Sequence, residues 1–310
     1  MPKEAILLAV PVPQDLHDAL AAEYTLVAQD AADGPHPGFR IAVTMAKDGA
    51  DAALMDRLPE LRLIASMGAG LDRIDLTTAR HRGIAVAHTP DELTDDVADF
   101  AIALMFAAAR RVAAADRFVR AGRWAAGERM APAIGLRGKT VGIVGLGRIG
   151  QQIARQASGL GMAVAWTGPR PKPELPWRHV PDILELAALS DVLILASPGG
   201  PATRHLVDAA VLNALGPRGI LVNVARGSVV DEAALFAALE ERRIAGAGLD
   251  VFEGEPRIDP RFLARDDVVL APHYASITAE TRTAIIARMI SDIAAFRAGD
   301  AFYDAAAALG

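Results

Sequence analysis

Apolar positions along the chain fall into two kinds of run: short uninterrupted ones, and longer ones that recur at helical spacing. Between residues 140 and 166 both kinds follow each other directly. Val141, Ile143 and Val144 form a charge-free, β-branched run, as a strand buried on both faces requires. Ile149, Ile153, Ala157 and Leu160 then repeat at helical spacing, with Gln151, Gln152 and Arg155 on the other side. Gly161 is placed to end that helix, and residues 162–166 read as the next strand.

The alternation extends both ways. Before it, strands are predicted at 5–10, 24–27, 41–43, 63–66 and 84–87, with helices at 14–23, 51–57 and 76–82 between them. That order predicts a small parallel α/β domain. A long apolar helix is predicted over 95–111, with Thr94 as N-cap and Asp95, Asp96 and Asp99 in its first turns. It is expected to cross into the nucleotide domain. Residues 121–137 mix Gly, Trp and Pro, so an arm lying against a second subunit and a surface loop both fit. After the proline-rich basic stretch 167–173 come a helix at 182–189, a strand at 191–196 and a helix at 209–215. Strands at 221–225, 247–251 and 268–271 follow, with a helix at 232–241 and a terminal helix at 279–297.

A length of 310 residues predicts about two domains. With 52% apolar and 23% charged residues, core material is ample and disorder disfavoured. The net charge of −6 argues against a nucleic-acid partner. The absence of cysteine excludes disulfides, thiolate nucleophiles and Cys-ligated metals, and no metal site is read. The apolar run 5–10 soon meets Gln14 and Asp15, unlike a signal peptide. The run 100–109, bounded by Asp99 and Arg110, is too short for the ~30 Å hydrocarbon core of a bilayer. A cytoplasmic protein with no membrane partner is expected.

Between the strand ending at Val144 and the helix after it stands Gly145-Leu146-Gly147-Arg148-Ile149-Gly150, a G-x-G-x-x-G. In that setting Gly145 permits the tight turn, Gly147 lets a pyrophosphate approach the backbone, and Gly150 lets helix pack on strand. The helix N-terminus then offers its free N–H groups to phosphate. A second glycine-rich loop, residues 66–72, sits at the C-terminal end of a predicted strand and reads either as a ligand loop or as a simple turn.

Three polar residues share one topological place. Arg226, Glu255 and His273 each lie just beyond a predicted strand. If those strands are parallel, all three emerge at the edge where a bound nicotinamide would lie. Singly, His273 reads as a structural histidine, Glu255 as a loop acid and Arg226 as a helix-end or phosphate contact. Together, an arginine that can hold a carboxylate bidentately and a histidine beside a carboxylate supply what reduction of a 2-keto acid needs. For the cofactor, uncharged Thr167 ends the second strand, and Arg170 and Lys172 follow. An acid at the strand end would suit NAD and repel a 2′-phosphate, so NADP(H) is expected, with Thr167 and Arg170 at the phosphate.

The glycine loop, residues 222–232 (Val-Asn-Val-Ala-Arg-Gly-Ser-Val-Val-Asp-Glu), residues 248–256 (Gly-Leu-Asp-Val-Phe-Glu-Gly-Glu-Pro) and residues 271–276 (Ala-Pro-His-Tyr-Ala-Ser) resemble the D-isomer-specific 2-hydroxyacid dehydrogenase family. Within it the NADPH-preferring glyoxylate/hydroxypyruvate reductase branch is most similar. The resemblance spans about 5–297. It implies two doubly wound, Rossmann-like parallel-sheet domains with the active site in the cleft between them. The substrate domain would comprise 1–92 plus 279–310, and the dinucleotide domain 93–278. It further implies that Arg226 binds and polarises the keto acid, that His273 is the acid/base and that Glu255 favours its protonated form. Ala69 and Gly70 match amides that hold the substrate carboxylate, and Ser276 a position near substrate and nicotinamide. Asp250 matches the residue that bonds the carboxamide, and Thr203 a cofactor-side threonine. The chain departs from the family pattern in having Pro198-Gly199-Gly200 before Thr203, and Thr167 where NAD-dependent relatives carry an acid. A homodimer reducing glyoxylate or hydroxypyruvate is expected. A dehydrogenase for a bulkier 2-keto acid and a non-catalytic nucleotide sensor are the alternatives.

Overall fold

The computed structural model describes residues 3–29 and 38–308. The chain forms two units, Met1–Leu93 with Thr278–Gly310, and Thr94–Ile277.

In the first unit, β1 (Ala5–Leu8), β2 (Thr25–Ala28), β3 (Ile41–Met45), β4 (Leu63–Met67) and β5 (Ala85–His88) make a parallel sheet in the order β2-β1-β3-β4-β5. This is the flavodoxin-like doubly wound order. Leu7, Ala42, Ile64 and Val86 from the strands pack with Met55, Leu58 and Leu61 and with Ala305 and Ala306 near the end of the chain. The last segment is tied to the sheet by Asp304, whose side chain accepts the Val86 N–H at 2.9 Å. The helix Ala279–Ala298 precedes that segment, and the Thr278 hydroxyl caps its Thr281 N–H. β1 ends two residues sooner than the apolar run suggests, because Pro11 and Pro13 have no amide to offer a ladder.

In the second unit, β6 (Thr140–Val144), β7 (Ala163–Thr167), β8 (Arg178–His179), β9 (Val192–Leu195), β10 (Ile220–Asn223), β11 (Gly246–Leu249) and β12 (Val268–Leu270) form a seven-stranded sheet. Its order is β12-β11-β10-β9-β6-β7-β8, with every pair parallel. The direction of winding reverses between β6 and β9, which creates the crevice where open α/β sheets take their ligands. The two-residue β8, unforeseen in the sequence, brings His179 against Trp166 with ring centroids 4.3 Å apart.

Two expectations are corrected. Thr94 is the first helical residue and not the N-cap, and the helix stops at Ala109. Arg111 takes a left-handed φ of 54°, and a second helix, Val112–Arg120, begins after it. The break has a partner: the Ala109 carbonyl accepts the N–H of Ile134 at 3.0 Å, so residues 121–137 turn back onto the helix end. β10 and β11 are also shorter than predicted, because Asn223 and Asp250 capture the main chain just beyond them.

Candidate active site

The register puts the C-terminal ends of six strands in one row: Thr167, Val144, Leu195, Asn223, Leu249 and Leu270. Every sequence-predicted site residue of the second unit lies on this row or just beyond it.

The glycine loop follows β6. Gly145 has φ 93°, and a Cβ there would meet Ser197 Cα at 2.7 Å. Gly150 packs so closely that a Cβ would meet the Gly145 carbonyl oxygen at 2.1 Å. Gly147 is different, because a Cβ there would meet nothing within 4 Å. The space above it is open, and Arg148 and Ile149 begin the helix Arg148–Gly159 beside it. The Ser197 hydroxyl is buried next to Gly145, with no hydrogen-bond partner among the described residues. An open cradle at a helix N-terminus with an unsatisfied hydroxyl at its side suits the phosphates and ribose of a dinucleotide.

At the end of β7, Thr167 is 7% exposed. Its hydroxyl donates to the Pro181 carbonyl at 3.1 Å, so its proton is already engaged. Arg170 is exposed. Lys172 reaches across the glycine loop and donates to the Leu146 carbonyl at 2.7 Å. Lys172 is thus the cation that the fold brings to the loop, ahead of Arg170. The Thr203 hydroxyl donates to Pro198 and Gly200 carbonyls at 2.8 and 3.3 Å, closing its own turn.

Arg226, Glu255 and His273 follow the neighbouring strands β10, β11 and β12. His273 Nδ1 lies 2.8 Å from Glu255 Oε2, and Glu255 Oε1 accepts the Phe252 N–H at 2.8 Å. Burial pushes the Glu255 carboxyl up. The hydrogen bonds from His273 and the Phe252 amide, with the His273 and Arg226 charges, outweigh it and hold the group below the usual carboxylate range. Glu255 therefore stays ionised around neutral pH. With Nδ1 engaged, the other ring nitrogen, Nε2, is the one left to face a substrate.

Two residues unassigned or differently assigned from sequence hold this set. Asn223 donates from Nδ2 to the Arg226 carbonyl at 3.0 Å and accepts the Ala225 N–H at 3.0 Å, shaping the turn that carries Arg226. Asp250 is 1% exposed and accepts the N–H groups of Tyr274 and Ala275 at 2.6 and 3.0 Å. Its carbonyl accepts the His273 N–H at 2.8 Å. Burial pushes the Asp250 carboxyl up, against the two amides. These bonds keep His273 at a φ of 53°, a backbone region costly for a side chain with a Cβ. Ser276 lies within the turn that the Ile277 N–H closes on the Tyr274 carbonyl at 2.9 Å. The sequence offers Asp250 only by resemblance, as a carboxamide contact, and nothing in it marks this clasp. In the first unit, Ala69 and Gly70 follow β4 in a partly exposed bend.

The family model described as "D-isomer specific 2-hydroxyacid dehydrogenase, NAD binding domain" matches residues 102–275. The chain is 48% identical over 261 residues to a 2-ketogluconate reductase of Gluconobacter oxydans, covering 84% of each. It is 43% identical to a glyoxylate/hydroxypyruvate reductase A of Arabidopsis thaliana, covering 84% of this chain and 83% of that one. In structure it is similar to an NADPH-dependent glyoxylate/hydroxypyruvate reductase from Sinorhizobium meliloti in complex with NADP and malonate. The TM-score is 0.90 with 36% identity, over 95% of this chain and 94% of that one.

Proposed function

As the chain belongs to the D-isomer-specific 2-hydroxyacid dehydrogenase family, we propose that it reduces small 2-keto acids such as glyoxylate and hydroxypyruvate to 2-hydroxy acids with NADPH. The observation that carries this is the His273–Glu255 hydrogen bond on the strand ends beside Arg226. NADPH, when bound, supplies the hydride that reaches the keto carbon. His273 gives its Nε2 proton to the carbonyl oxygen as that oxygen gains charge, and then regains a proton from solvent. Glu255 accepts from Nδ1 throughout, holding the ring so that Nε2 is left for the substrate. Arg226 holds the substrate carboxylate and polarises the carbonyl with its planar fork. By the family resemblance Ala69 and Gly70 are proposed to offer amides to the substrate acid, and Ser276 to stand near it.

Gly145, Gly147, Arg148, Ile149 and Gly150 would hold the phosphates of the dinucleotide, with Asp250 toward the carboxamide and Thr203 on the cofactor side. An uncharged β7 end and the cations Arg170 and Lys172 suit a 2′-phosphate, and the Sinorhizobium relative is an NADP complex. With the Thr167 hydroxyl donating to the Pro181 carbonyl, the two cations would carry the pairing.

A second reading, that a bulkier 2-keto acid is preferred, is favoured by the likeness to 2-ketogluconate reductase. A coupled NADPH-oxidation assay over glyoxylate, hydroxypyruvate, 2-ketogluconate and hydroxyphenylpyruvate ranks them by kcat/KM. Highest values for the first two support the small-acid reading, and a leading value for either of the others replaces it. The protein is further proposed to work as a homodimer. Trp124 is 71% exposed, and Val112, Val119 and Met130 are exposed too, on and just after the helix Val112–Arg120. Several exposed apolar residues within one short stretch of chain suit an association surface.

A further inference from the structure

The bend that follows β4 is fastened to the residues that end β5. The Gly68 N–H donates to the Thr89 hydroxyl at 3.0 Å, and the Gly68 carbonyl accepts the Thr89 N–H at 3.1 Å. Beside it, His88 Nδ1 lies 3.1 Å from the Ala69 carbonyl oxygen. A carbonyl oxygen only accepts, so Nδ1 must carry the proton. His88 is 6% exposed and its ring lies 5.5 Å from that of Tyr303, centroid to centroid, so its orientation is set by packing.

The consequence falls on the next amide. A trans peptide is planar, with its C=O and N–H pointing opposite ways. Holding the Ala69 oxygen on His88 therefore fixes the direction of the Gly70 N–H on the far side of the same peptide. The anchor matters here because glycines flank Ala69, and Gly68 already has a φ of 116°. Glycine's freedom would otherwise let that peptide rotate.

We propose that His88 is a positioning residue for the substrate: by holding the Ala69 carbonyl it aims the Gly70 amide at the carboxylate of the 2-keto acid. This rests on the reductase function proposed above. His88 acts through the Ala69 peptide. Its removal acts on the affinity for the acid.

Side-chain geometry supplies the test. In asparagine the amide nitrogen hangs from Cγ, as Nδ1 does in histidine, so His88→Asn can donate to the same carbonyl. His88→Gln carries its nitrogen one carbon further, and His88→Ala has none. The measurements are KM and kcat for glyoxylate and hydroxypyruvate, inhibition by oxalate, the Kd for NADPH, and amide exchange of residues 66–71 by mass spectrometry. Aiming an amide at a carboxylate is worth about tenfold in affinity. KM and the oxalate constant should rise by about that factor in His88→Ala and His88→Gln. Exchange in the loop should quicken in both, while kcat falls less and NADPH binding stays. His88→Asn should return all of these close to wild type. If His88→Ala fails to fold, the comparison of His88→Asn with His88→Gln decides alone. Unchanged KM and exchange in His88→Gln, or His88→Asn as impaired as His88→Gln, overturns the proposal. A wild-type protein that reduces no 2-keto acid is the failure of the reductase function itself, visible before any variant is made.

Discussion

Nδ1 of His273 and Oε2 of Glu255 lie 2.8 Å apart, on loops that leave two neighbouring parallel strands. The pair costs the chain a left-handed backbone at His273, which Asp250 sustains from below through the His273, Tyr274 and Ala275 amides. Such an arrangement at a strand edge holds an imidazole in one orientation and leaves Nε2 to do chemistry.

Replacing Glu255 by Gln removes the carboxylate that Nδ1 of His273 bonds to and that holds the ring. Turnover with the keto acid should then fall, while NADPH affinity is retained. Stability should respond in acid. The Glu255 carboxyl is held below its ordinary value, so its contribution is present above the unfolded carboxylate range and lost as pH falls through the depressed value. Urea midpoints measured against pH should fall less steeply in acid for the variant. Unchanged turnover removes Glu255 from the role.

Gly227 is where the Arg226 loop meets the Glu255 loop. A Cβ at 227 would sit 1.9 Å from the Phe252 carbonyl carbon and 2.2 Å from the Glu253 nitrogen, both main-chain atoms that cannot swing aside. Gly227→Ala should cost about 1–3 kcal/mol of stability by overpacking. It should also lower kcat/KM for the keto acid more than it weakens NADPH, because Arg226 is displaced from His273 and the glycine loop is not. Denaturant titration and steady-state kinetics on one preparation check both, and wild-type values for Gly227→Ala contradict the packing.

Local patterns in the sequence reached as far as local causes do. The strand, glycine turn and helix at 140–160 are legible because periodicity and glycine spacing act within a few residues. The break at Arg111 was not, since Ile134, far along the chain, supplies the amide that ends the helix at Ala109. The two-residue β8 owes its place to Trp166 and the neighbouring β7, not to any run of its own. Thr167 reads from sequence as a hydroxyl facing the nucleotide, whereas it donates its hydrogen bond to the Pro181 carbonyl. Lys172 gains its importance only when the fold lays it on Leu146. His273 and Glu255 could be suspected as partners from motif order, but their contact depends on β11 and β12 being neighbours.

Cofactor choice should follow the two cations. A desolvated charge-assisted hydrogen bond is worth about ten- to a hundredfold in affinity, and NADPH should be preferred over NADH in kcat/KM by about that factor. Arg170→Ala and Lys172→Ala should each erode the preference mainly through the KM for NADPH. Adding Thr167→Asp, which puts an acid at the end of β7, should move it toward NADH. Equal use of both dinucleotides by the unmodified protein contradicts this.

Light scattering checks the assembly. A dimer is expected at micromolar concentration, and Trp124→Glu should shift it toward monomer by burying a charge in the contact. A monomeric wild type contradicts the dimer.

The central claim is tested most directly by the rate of NADPH oxidation on adding glyoxylate or hydroxypyruvate, compared between wild type and His273→Ala, with NADPH binding followed separately by fluorescence. Wild type should oxidise NADPH and yield the 2-hydroxy acid. His273→Ala should bind NADPH equally well and turn over about 10²–10⁴-fold more slowly, the usual share of general acid catalysis. No oxidation by a wild type that binds NADPH, or turnover by His273→Ala within a few-fold of wild type, would contradict it.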